Sequence, residues 1–152
     1  MLTRRSALGI LALGTTAGMS LPRAARAAEP MVFQSEGIAI NGSDAVAYFD
    51  GAGPVAGDAA HAIDWNGATW HFATAETREA FAAEPDRFAP AFGGYCAYAA
   101  SRGYLAPTIP EAWAIHEGRL FLNASLRARE LWTRDLPDAI AAGEANWPAI
   151  LG

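Results

Sequence analysis

The 152-residue chain contains no lysine and a single cysteine, Cys96. The first absence excludes Schiff-base chemistry and the lysine of a phosphate-binding loop. The second excludes a disulfide framework within the chain and any zinc site built from several thiolates. Acid is missing from one region only: positions 1–27 hold Arg4, Arg5, Arg23 and Arg26 and no Asp or Glu. The other seven Arg therefore face all 16 acidic residues, and residues 28–152 carry a formal −9. That balance excludes a basic nucleic-acid footprint, so no nucleic-acid partner is expected. There is no internal repeat, low-complexity tract or linker. All 16 aromatic residues lie in 28–152, where they suffice for one core, so a single domain is expected.

The first 27 residues read as an address. Arg4-Arg5 precedes a mildly apolar run from Ala7 to Leu21, and Ala25-Arg26-Ala27 ends it with the small residues that a signal peptidase reads. The run is about 15 residues and rich in Gly, short of the roughly 20 that span a bilayer. Paired arginines, with Arg23 and Arg26 near the cleavage point, favour the twin-arginine route, although Ala7 stands where an aromatic is usual. The expectation is a protein of the periplasm that is soluble, has no membrane span and begins near Ala28.

Periodicity and turn chemistry outline the rest. Asn66-Gly67, flanked by alternating residues, predicts a hairpin from about Ala59 to Ala73, with Trp65 opposite Ala68, Ile63 opposite Trp70 and His61 opposite Phe72. Thr74 is placed to cap a helix through Ala83, with Pro85 beyond its end. Gly93-Gly94 breaks the chain, and residues 95–101 have the composition of a short helix stopped by Gly103. A second hairpin pairs Ala112 to His116 with Arg119 to Asn123 across Glu117-Gly118. Ser125 can cap a helix whose Ala128, Leu131, Trp132 and Leu136 form one apolar stripe, and Pro137 suits the first turn of a last helix. The fold class is α+β: a small antiparallel sheet built from hairpins, with helices packed on it.

Alternation of faces separates the histidines. His61 and His71 are assigned opposite sides of the first hairpin, and His116 sits beside the second turn, facing solvent. Nothing supplies the paired spacing of a metal site, and no two carboxylates suggest glycosidase-like work. Cys96 carries more information. It is expected in the first turn of a short helix, where unpaired amides and the dipole favour a thiolate, which is both nucleophile and soft-metal ligand. Ala99 and Ala100, three and four places on, leave space beside the sulfur, and Tyr95, Tyr98 and Tyr104 offer hydroxyls and aromatic walls to a ligand. The alternative reading makes Cys96 a small buried hydrophobe.

Three strings then resemble a known family: Gly42-Ser43-Asp44-Ala45-Val46-Ala47-Tyr48-Phe49; Gly67-Ala68-Thr69-Trp70-His71-Phe72 with the following helix; and Gly93-Gly94-Tyr95-Cys96-Ala97-Tyr98-Ala99. Together they resemble the exported branch of the YHS-domain family over about Gly37 to Pro148. In that branch some members carry selenocysteine where Cys96 stands, which implies a position working through an ionised chalcogen. Ala47, Ala73 and Thr77 stand where the family's metal-related modules carry cysteines, which removes those ligands here. Three functions remain open. Cys96 holds a soft metal such as copper(I), or a small ligand, in a binding module. Alternatively it is a redox enzyme's thiol that reduces peroxide or disulfide and is restored by an external thiol reductant. The third is a structural accessory without chemistry.

Overall fold

The computed structural model describes residues 24–51 and 53–152. Three two-residue turns organise its strands: Glu36-Gly37 (φ 51 and 83), Asn66-Gly67 (φ 50 and 81) and Glu117-Gly118 (φ 49 and 75). Both positions of each are left-handed, the conformation that a tight hairpin demands and that glycine adopts without strain. The first turn joins β1 (Gln34–Ser35) to β2 (Ile38–Ala39). The second joins β3 (Asp58–Trp65) to β4 (Ala68–Phe72), and the third β5 (Ile109–His116) to β6 (Arg119–Asn123). The sheets are two: β1-β2-β4-β3 and, separately, β5-β6. Within the first, β2 runs parallel to β4 with Ile38 beside Thr69, so that sheet is mixed rather than wholly antiparallel. The β1–β2 hairpin escapes the sequence pattern because two residues per strand show no alternation.

In the β3–β4 hairpin, Trp65 faces Ala68 and Ile63 faces Trp70, as expected. Beyond them a bulge sets Asp58, not His61, opposite Phe72, and Ala62 opposite His71. The Asp58 carboxylate accepts the Ala60 N–H at 2.8 Å inside this irregular stretch, a local turn that competes with the ladder. Because β3 is bulged there, the expected pairing of His61 with Phe72 is replaced.

Helix α1 (Ala75–Ala83) starts where Thr74 predicts, its hydroxyl accepting the Thr77 N–H at 3.1 Å. The short α2 (Pro85–Phe88) and α3 (Ala97–Ser101) follow. Next comes α4 (Leu126–Arg134), capped by Ser125 accepting from Ala128 N at 3.0 Å, and then α5 (Asp138–Asn146), entered after Pro137. The domain is therefore α+β, as its pattern indicates.

Two apolar clusters form in place of the single expected core. One gathers Tyr48, Trp70, Phe72 and Phe81 between the four-stranded sheet and α1, and takes Leu120 and Leu122 from β6. The other holds Phe92, Trp132, Ala97, Ala100 and Ala139 with Phe121. Alternation along β6 sends Leu120 and Leu122 to one cluster and Phe121 to the other, and all three are 1% exposed or less. This strand is the wall between them.

Residues 1–23 of the expected export signal lie outside the described residues. Among the described residues no helix is long and apolar enough to cross a membrane.

Candidate functional site

Gly93 and Gly94, at φ 62 and 86, let the chain turn sharply into the segment that carries the thiol. A Cβ on Gly93 would fall 1.9 Å from the Met31 carbonyl oxygen, so only glycine permits this close passage. Gly93 O then accepts the Phe33 N–H at 2.9 Å, which ties the turn to the start of the domain. Cys96 follows with extended backbone (φ −59, ψ 119) and is the N-cap of α3, one place before the first turn where its sequence places it. Its N–H donates to Ala106 O at 3.0 Å and its carbonyl accepts from Ala100 N at 2.9 Å.

The side chain makes three polar contacts. Its Sγ accepts the Ala99 N–H at 3.5 Å, the usual bond of a cap. It also accepts the Ala124 N–H at 3.2 Å, from the turn between β6 and α4. The thiol donates to Asn123 Oδ1 at 3.6 Å, and the same oxygen accepts the Tyr98 N–H at 3.0 Å. That backbone N–H fixes the orientation of the Asn123 amide, because a flipped group would set donor against donor. Asn123 is fully buried, and among the described residues its Nδ2 has no hydrogen-bond partner. One sulfur thus joins α3 to the end of β6, beside an amide whose donor is left over.

Cys96 is 1% exposed and lines none of five surface clefts. The space expected beside Ala99 and Ala100 is filled, since both are buried and α3 packs against α5. The three tyrosines do not converge on the sulfur. Tyr95 is buried against Phe33 and Trp147, and its hydroxyl donates to Pro30 O at 2.9 Å. Burial, and next the nearby Glu29 charge, raise the pKa of this phenol. Tyr98 lies under the Arg102 guanidinium, 5.1 Å from its ring centre. Tyr104 is 52% exposed in a shallow hollow near the C-terminus.

The bulge in β3 removes the register that assigned His61 its face. His71 sits beside Gly42 in a shallow hollow, His61 lies in the bulged part of β3, and His116, half-buried rather than facing solvent, ends β5. Among the described residues no group of three or more His, Cys, Asp and Glu is placed to hold a metal ion.

Asp44 is a buried polar residue whose role the sequence pattern does not disclose. Its Oδ1 accepts Val46 N at 2.9 Å and Ala47 N at 3.2 Å, and its Oδ2 accepts Ala73 N at 2.9 Å and the Thr77 hydroxyl at 2.7 Å. It clasps the 43–47 turn to the cap of α1 and is structural. Ser43-Asp44 ahead of small apolar residues is a legible turn signal, but the link to Ala73 and Thr77 is long-range.

No protein-family model, curated protein or solved structure matches the chain. The expected resemblance to the YHS-domain family finds no support in these comparisons.

Proposed function

We propose that the domain acts through Cys96, as a small exported binding module that holds a soft metal ion or a small ligand on its sulfur. The observation that carries this reading is the convergence of two main-chain N–H groups, from Ala99 and Ala124, on one atom. A serine would satisfy the Ala99 N–H as an ordinary cap; the second donor favours a large acceptor able to carry negative charge. Sulfur bonded to a soft cation has that character, and so does sulfur leaving a mixed disulfide. Because Cys96 is sealed, a ligand reaches it by displacing the five-residue α3, a local opening that costs less than global unfolding.

Exposure of the folded protein to a small thiol reagent, over a range of urea concentrations below the unfolding midpoint, tests this. Modification of Cys96 faster than global unfolding is the expected result. Copper(I) offered against a competing chelator should be retained by the native chain and not by Cys96→Ser. A thiol that reacts only as the whole molecule unfolds, together with equal copper uptake by both proteins, would leave Cys96 as a structural cap. Sulfenic acid formed with peroxide, without copper retention, would move the assignment to the thiol-redox reading, with an external thiol reductant closing the cycle.

A further inference from the structure

A cleft of about 230 Å³ opens where the two apolar clusters meet, and Cys96 is not among the residues that line it. Its lining includes Trp65 and Trp70 of the β3–β4 hairpin with Phe92 and Trp147; Trp65 and Trp147 are half-buried, Trp70 and Phe92 are buried beneath, and the exposed Met31 also lines it. Its charged residues are Arg87, Arg119 and Asp86. Each arginine already has a carboxylate partner outside the lining, Glu84 for Arg87 and Glu144 for Arg119, so what the cleft offers an anion is spare donors rather than net charge.

Both arginines are held in place yet keep donors to spare. Arg87 lies 5.0 Å from the centre of the Phe88 ring, and Arg119 lies 5.2 Å from that of Phe121. Each uses Nη1 for one carboxylate, Arg87 to Glu84 at 3.0 Å and Arg119 to Glu144 at 2.6 Å. Among the described residues neither Nε nor Nη2 of either side chain has a hydrogen bond, whereas a guanidinium offers five donors. These cation–π contacts and ion pairs restrain both side chains, which lowers the cost of ordering them on an incoming anion.

We propose that this cleft binds a small aromatic carboxylate, its ring against the half-buried indoles of Trp65 and Trp147 and its carboxylate on Arg87 and Arg119. Indoles set the ring chemistry, because flat faces favour offset or edge contacts with another aromatic ring. Size sets the limit: about 230 Å³ lies below the roughly 300–1,000 Å³ of pockets for drug-sized ligands, so one ring fits and an extended molecule does not. The site is independent of Cys96, and its failure would leave the thiol proposal untouched.

Benzoate, benzamide and benzylamine form an isosteric anion, neutral and cation series for the test, read by chemical shifts of the indole N–H signals of the full chain. Benzoate is expected to bind tightest, and to lose about tenfold in affinity in Arg87→Gln or Arg119→Gln, the equivalent of one charge-assisted hydrogen bond. Benzamide should be nearly unaffected by either change. Asp86→Asn, a surface substitution that does not threaten folding, should tighten benzoate and leave benzamide unchanged. Equal affinities across the series, shifts outside Trp65, Trp70 and Trp147, or no shifts at all would overturn the proposal.

Discussion

Asp44 shows how much one side chain holds. Its carboxylate is fully buried and satisfies three backbone N–H groups and a hydroxyl, two of the amides from its own turn and the other two donors from the distant cap of α1. Asp44→Ala strands the three amides, and at about 1–3 kcal/mol for each buried unsatisfied group the loss should be about 3 kcal/mol or more. Urea unfolding checks this; a loss under about 1 kcal/mol would mean that water replaces the carboxylate. Cys96 is the other such residue, since Ala99 and Ala124 both donate to it. Its N-cap position was nearly legible, because Gly93-Gly94 must end one segment and Ala97 to Ala100 favour a helix. Its burial was not, because that depends on α5 lying across α3.

Among the elements, β6 decides the architecture. Local signals placed it correctly: Glu117-Gly118 sets the register, with Ile115 opposite Leu120 and Ala114 opposite Phe121. Pairing nevertheless says little about burial here. Ile115 is 37% exposed while its partner Leu120 is 1% exposed, and Phe121, on the face opposite Leu120, is fully buried. The difference arises because the two apolar clusters cover β6 on both faces, taking Leu120 and Leu122 on one and Phe121 on the other, whereas Ile115 belongs to neither cluster. Leu120→Ala should therefore cost about 2–5 kcal/mol and Phe121→Ala about 3–5 kcal/mol, against under about 1 kcal/mol for Ile115→Ala. Equal losses at Ile115 and Leu120 in denaturant unfolding would refute the role of β6 as a wall.

For the whole molecule, pH reports on packing between distant segments. Tyr48 donates to Pro110 O at 3.1 Å, and its phenol pKa is raised, mainly by burial, with a hydrogen bond to Ser43 opposing and the charges of Glu111 and Asp44 reinforcing. Tyr95 is raised too, through burial first. In the unfolded chain both lose their protons near the ordinary value of about 10. The folded protein then holds more protons than the unfolded one, so this stability is fully present below that pH and declines as pH rises through the raised folded values. Urea midpoints should fall on the alkaline side, and less steeply in Tyr48→Phe. A variant with the same alkaline slope as the parent would remove Tyr48 from that account. Local signals account for the Asn66-Gly67 and Glu117-Gly118 turns, the caps at Thr74 and Ser125, the stripe of α4 and the α+β class. Each follows from backbone geometry within a few residues, where nearest-neighbour sterics and hydrogen bonds dominate. Only the tertiary structure decided that the core is double, that the sulfur is enclosed and that Arg87 and Arg119 share an aromatic cleft. Those outcomes depend on which faces of distant segments meet, and burial is a property of the neighbours as much as of the residue.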